Sequence, residues 1–163
     1  MARNLLPYRI TKGETVMHAT RGFTLIELMI VVAIVAILSA LSISIYADSI
    51  SKSQVSEAFT ITDGLKSDVI DFFGQAGQCP ELGHSLGFPG TSASYGGKYV
   101  ASVDIQPQAN GCSLIVTMRG AGSVTPKLIN QTITISLDTT KSATAQWSCA
   151  STVNPVYLPA TCR

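Results

Sequence analysis

The apolar and polar positions change period along the chain. From Leu28 to Ala47 no residue is charged, and this run, LMIVVAIVAILSALSISIYA, is about 20 residues long, enough at ~1.5 Å per residue to cross a ~30 Å hydrocarbon core. Beyond it Val55, Ala58, Phe59, Thr62, Leu65, Val69, Phe72 and Phe73 recur at intervals of three and four, the stripe of an amphipathic helix. Asp48, Lys52, Glu57, Asp63, Lys66, Asp68 and Asp71 mostly occupy the other face. The two patterns predict one helix from Thr24 to Phe73, about 75 Å long at ~1.5 Å per residue, stopped by Gly74 with Gly77. Its first half reads as a membrane anchor and its second half as the backing of a head domain.

After the helix the pattern loses its period. Gln75 to Gly97 is rich in Gly, Ser and Pro and reads as a loop joining helix to sheet, expected from its surface position to be a contact region. Alternating or β-branched runs follow at Lys98 to Ile105, Cys112 to Met118, Gln131 to Leu137 and Ala143 to Cys149. Pro107 to Gly111 and Asp138 to Lys141 serve as hairpin connections, and Arg119 to Asn130 as a longer loop. Four antiparallel strands with one apolar face would cover the outer half of the helix, giving an α+β fold.

Charge adds a direction to this layout. The net charge of +1 hides Arg3, Arg9, Lys12 and Arg21, which precede the apolar run with only Glu14 against them. The positive-inside rule keeps that end cytoplasmic and sends Asp48 onward across the inner membrane. Beyond residue 22 seven Lys/Arg face nine Asp/Glu, so the rest of the chain is mildly acidic and poorly suited to holding a polyanion. A secretory signal would place its small-residue cleavage site after the apolar run, whereas Gly22 precedes it, so cleavage there leaves the helix on the product. The four cysteines, Cys79, Cys112, Cys149 and Cys162, all follow the run without CxxC or zinc-like spacing, which favours disulfides over free thiols and an oxidising compartment. Four cysteines permit three pairings, and spacing does not choose among them.

Arg21-Gly22-Phe23-Thr24-Leu25-Ile26-Glu27-Leu28, followed by an unbroken apolar helix, resembles the class III leader junction of type IV pilins. Similarity continues in SQVSEAF at Ser53 to Phe59, GKYVASV at Gly97 to Val103, and WSC with YLPATCR between Trp147 and Arg163, which resemble major pilins of the type IVa group. The resemblance implies the pilin fold, cleavage by a prepilin peptidase between Gly22 and Phe23, N-methylation of Phe23, and polymerisation with the pilus assembly machinery into a helical homo-oligomeric filament. It implies residues 1–22 as leader, 23–47 as transmembrane and assembly helix, and 48–163 as a head that is periplasmic first and on the filament surface later. It also implies a bond between Cys149 and Cys162, leaving Cys79 with Cys112. Filament roles in adhesion, twitching motility and DNA uptake come from the resemblance alone. Because Met17 to Gly22 resembles a complete short leader, Met17 is expected as the true start and residues 1–16 as a misassigned extension; a longer leader is the alternative.

Glu27 is the one charge inside the apolar segment, and a carboxylate at bilayer depth is costly without a partner. Snorkelling to the headgroups is one explanation. The resemblance supplies another, in which Glu27 attracts the cationic Phe23 amine of a neighbouring subunit and fixes axial register during assembly. Where many major pilins carry a helix glycine and a helix proline this chain has Ala36 and Ser44, which avoids penalties of roughly 1 and 3 kcal/mol, so the anchor should stay helical further. Ser39, Ser42 and Ser44 could bend it by bonding back to carbonyls a turn earlier.

No catalytic constellation is legible. His18 and His84 lack metal-ligand neighbours, SYGG and RGAGS lack the lysine and serine of a phosphate loop, and Trp147 beside Cys149 reads as a core or disulfide-packing residue. No cofactor, no metal and no enzyme activity is expected. Two other readings share the leader and helix. A minor pilin acting as a DNA receptor would need a basic stripe, yet Lys98, Arg119, Lys127 and Lys141 are scattered among acids. A type II secretion pseudopilin is disfavoured by the cysteine-bounded C-terminus.

Overall fold

The computed structural model describes residues 22–140 and 146–163. The expected leader up to Arg21 with its basic residues, the expected start at Met17, His18, Lys141, and the opening of the last expected strand lie outside the described residues. The elements are α1 (Leu25–Ala76), β1 (Val100–Gln108), β2 (Gly111–Met118), β3 (Thr132–Asp138) and β4 (Gln146–Ser151), with 3-10 turns at Ser92–Tyr95, Pro126–Leu128, Pro155–Tyr157 and Ala160–Cys162. The chain divides into two units, one ending at Ser39 and one running Ala40–Arg163.

In the first unit the described chain is helical from Leu25 and buries none of its side chains, Leu25 being 77% and Ile37 65% exposed. Ala36 sits within α1 without a break. In the second unit α1 continues through Ser44, whose hydroxyl donates to the Leu41 carbonyl at 3.0 Å, the kind of back-bond that a mid-helix serine makes. The helix ends three residues beyond the expected Phe73. Gly74 lies inside it, and the stop falls to Gly77 alone, whose φ of 69° only glycine adopts freely and whose N–H donates to the Phe73 carbonyl at 2.8 Å.

The sheet is an antiparallel meander in the order β1-β2-β3-β4. Strict alternation along β3 buries Ile133, Ile135 and Leu137, and β2 buries Cys112, Leu114, Val116 and Met118 completely. Against this face α1 presents Val55, Ala58, Thr62, Leu65 and Val69, all buried, with Phe59, Phe72 and Phe73 half-buried at the margin. β1 is longer than expected. Pro107 and Gln108, expected in the hairpin connection, instead pair with Cys112 and Gly111, and the proline is tolerated because β1 is an edge strand that need not donate outward. β4 runs on to Ser151, two residues past Cys149, by pairing with Ile133 of β3.

Candidate functional site

The junction expected to be cut and methylated, Gly22 and Phe23, is exposed and lies outside any regular element ahead of α1, with Phe23 91% exposed. Thr24 then caps the helix. The Glu27 N–H donates to Thr24 Oγ1 at 3.3 Å, while the Thr24 N–H and hydroxyl both donate to Glu27 Oε2, at 2.9 and 2.8 Å. This is a reciprocal capping box, which satisfies backbone donors that have no partner in the first helical turn. Glu27 therefore has a partner within its own chain, a role the Thr-x-x-Glu spacing signals and the sequence reading overlooked.

Where the uncharged run ends, three distant residues converge. Lys127 Nζ donates to Asp48 Oδ1 at 2.9 Å and to Tyr157 Oη at 2.8 Å, and the Tyr157 hydroxyl donates to the same Asp48 oxygen at 3.0 Å. Lys127 rides on the Pro126–Leu128 turn, pinned by fully buried Leu128. Tyr157 rides on Pro155–Tyr157, whose start is capped by Asn154 Oδ1 accepting from the Val156 N–H at 3.0 Å. The hydrogen bond from Lys127, and next that from Tyr157, holds the Asp48 carboxyl below the usual carboxylate range. The Tyr157 hydroxyl, and next the Asp48 carboxylate, push the Lys127 ammonium above the usual lysine range.

One turn further along α1 the same loop is latched again. Gln54 Oε1 accepts from the Thr125 N–H at 2.9 Å, and the Ser51 and Thr125 hydroxyls lie 3.0 Å apart. Both helix residues are buried; the Gln54 amide oxygen needs that partner, whereas the Ser51 hydroxyl also has the Ala47 carbonyl, to which it donates at 3.0 Å. Glu57 secures the opposite connection. Its two carboxylate oxygens accept from the Tyr99 N–H at 3.2 and 3.3 Å, and its carboxylate fills the space where Gly97 has no Cβ. Arg119 Nε closes this corner by donating to the Gly97 carbonyl at 3.0 Å.

Cys79 bonds Cys112 across 33 positions and Cys149 bonds Cys162 across 13, with Cα separations of 5.7 and 5.0 Å. The second bridge closes the loop that carries Tyr157. Trp147 is half-buried against the core, opposite Leu137, with the Lys66 ammonium 6.0 Å from its ring centroid. His84 is exposed, its Nδ1 within 3.3 Å of the Leu82 carbonyl. Lys98 Nζ lies 5.2 Å from the ring centroid of Tyr99, whose carbonyl accepts from the Arg119 N–H, but the acidic Glu57 shares that corner. Among the described residues no group of three or more His, Cys, Asp or Glu could hold a metal.

Of these contacts, the ring at Asp48 and the clamps at Gln54 and Glu57 were missed from sequence. Ser51 and Gln54 extend the helix stripe at the right spacing but are polar, and the partners of Asp48 lie 79 and 109 positions away. The one available signal for Glu57 was that SQVSEAF and GKYVASV both carry the family resemblance; the fold brings them together.

A family model described as pilin, bacterial filament, matches residues 51–163, and one described as the prokaryotic N-terminal methylation motif matches residues 17–43. The chain is 35% identical over 143 residues to a fimbrial protein of Eikenella corrodens, covering 88% of this chain and 90% of that one. It is 39% identical over 127 residues to a fimbrial protein of Moraxella nonliquefaciens, covering 75% and 80%. With a type IV major pilin of Neisseria gonorrhoeae it shares 43% identity over 86 residues, 53% of this chain and 52% of that one.

Proposed function

The chain belongs to the pilin family of type IV filament subunits, and on that premise we propose that it is cut between Gly22 and Phe23, N-methylated on Phe23, held in the inner membrane by residues 23–47, and added to a filament through that same helix. Residues 1–22 are then the leader and 48–163 the head, which passes from periplasm to filament surface. The partners are further copies of the chain, the prepilin peptidase and the assembly machinery. As with the major pilins it resembles, the filament serves adhesion and twitching motility, with DNA uptake as a further family role.

The observation that carries this reading is the exposure of the first half of α1. Ile26, Leu28 and Ile45 are all at least 61% exposed, and every residue of α1 from Leu25 to Ala47 is exposed. Such a surface needs lipid or other helices as its solvent.

Glu27 tests the assembly step, because two roles separate by substitution. Glu27→Gln keeps a side chain able to complete the capping box but removes the charge, and Glu27→Ala removes both. If Glu27 neutralises the Phe23 amine of a neighbour, both variants are cleaved and neither forms pili, read by electron microscopy of sheared cells and by mass analysis of the membrane-bound subunit. Wild-type piliation by Glu27→Gln would reduce the residue to a helix cap.

A further inference from the structure

The uncharged run stops at Ala47, and the fold then gathers two lysines and two tyrosines at its end. Tyr46 is 70% exposed, Lys52 follows Asp48 by one helical turn, and Lys127 is brought to Asp48 from the far side of the sheet sequence. Lys52 and Tyr157 line one small cleft of about 230 Å³ with Val55, Phe59 and Leu158. We propose that this end of the head is a docking face for anionic phospholipid headgroups, with Lys52 and Lys127 donating to lipid phosphates and Tyr46 seated among the headgroups. The proposal rests on the reading of residues 23–47 as the anchor.

Distance along the helix decides which charges count. Headgroups occupy about 5 to 7 Å beyond the hydrocarbon core on each side. Lys52 lies ~6 Å along the axis from Asp48, at ~1.5 Å per residue, and so falls within that layer, while Glu57 lies ~14 Å beyond Asp48 and falls outside it. Within the layer Asp48, Lys52 and Lys127 sum to +1, whereas the acids Glu57, Asp63, Asp68 and Asp71 lie further out. The donors are also available. An ammonium has three N–H groups, of which Lys127 spends two on Asp48 and Tyr157 while its side chain stays 55% exposed. Lys52 is exposed and makes no hydrogen bond or ion pair among the described residues. A phenol at the membrane boundary is the usual place for tyrosine, with its ring in the apolar margin and its hydroxyl in water.

The experiment uses the mature full chain in nanodiscs of phosphatidylcholine with and without phosphatidylglycerol, one copy per disc, with a gadolinium chelate on a trace of headgroups. Broadening of the Leu128 and Tyr157 amide signals reports seating of the head. Phosphatidylglycerol should increase it, added salt should reverse the increase, and Lys52→Gln should cut the seated population about five-fold, the equivalent of ~1 kcal/mol per lysine at an anionic surface, with Lys52→Arg retaining it. Broadening that is equal in both lipids and indifferent to Lys52→Gln overturns the proposal, as does broadening that appears only with two copies per disc, which assigns the face to a neighbouring subunit. A chain that does not stay in discs of either composition overturns the anchor reading itself, and retention with charge-independent broadening overturns only the docking face.

Discussion

Single side chains here act mainly by joining segments far apart in sequence. The ring of Asp48, Lys127 and Tyr157 links the helix, the β2–β3 connection and the C-terminal loop, and its titration has a definite sign. Asp48, depressed in the fold, contributes stability that is present above the ordinary carboxylate range near pH 4 and is lost as pH falls through its lower folded value. Lys127, raised in the fold, contributes stability that is complete below the ordinary lysine range near pH 10 and is lost as pH climbs through its folded value. Tyr157→Phe removes one donor from Asp48 and one acceptor from Lys127, so a carboxyl carbon NMR titration should show the Asp48 midpoint moving up toward its ordinary value; an unmoved midpoint would mean that the phenol is a bystander. Both charges are partly exposed, so the change should shrink with added salt. Gly97 offers a sharper test. A Cβ there meets the Glu57 carboxylate, which must swing away and release the Tyr99 N–H, so Gly97→Ala should destabilise the head by about 1 to 3 kcal/mol, measured by thermal melting of the detergent-solubilised chain. Gly97→Ala combined with Glu57→Ala should then cost little more than Glu57→Ala alone.

Elements were legible where their period was strong. The stripe from Val55 to Phe73 and the alternation of β3 follow directly from spacing, because one face of each is buried and the other is not. Boundaries were less legible for identifiable reasons. Gly74 looked like a stop but is carried by a helix whose packing continues to Phe73, and Pro107 looked like a turn but occupies an edge strand. The polar contacts were illegible because their partners are set by tertiary approach, not by local pattern. The two disulfides belong to this scale as well. In the chain-entropy model the closures of 33 and 13 positions contribute about 4 and 3 kcal/mol, so entropy alone ranks the Cys79–Cys112 bridge higher. The C-terminal loop carries Tyr157 and buried Leu158, however, so opening it also loosens the ring at Asp48 and one edge of the core. Cys149→Ser with Cys162→Ser should therefore leave a head that is degraded or fails to assemble, whereas Cys79→Ser with Cys112→Ser should lower the melting temperature and retain some pili, read from periplasmic proteolysis and pilus yield. The reverse ranking would show that loop entropy outweighs the contacts the loop carries.

At the scale of the molecule, every buried residue of α1 lies at or after Ser51. A chain beginning at Asp48 keeps all of those residues, both disulfides and the ring at Asp48, so it should fold cooperatively without residues 23–47. Starting instead at Val55 deletes Ser51 and Gln54, leaves the Thr125 N–H without its acceptor and removes Asp48, and should cost about 1 to 3 kcal/mol from the lost acceptor alone. Coincident unfolding curves by circular dichroism and tryptophan fluorescence for the first fragment, and a lower midpoint for the second, would check this. If residues 23–47 are the anchor proposed above and the head folds without them, that separation also bears on traffic. Lipid tails are about as apolar as leucine, so moving the anchor from bilayer to a bundle of like helices exchanges one oily solvent for another with little gain from the hydrophobic effect. On the proposed anchor reading that transfer breaks no core contact and no disulfide described above, so a subunit leaving a filament is expected to re-enter the bilayer still folded.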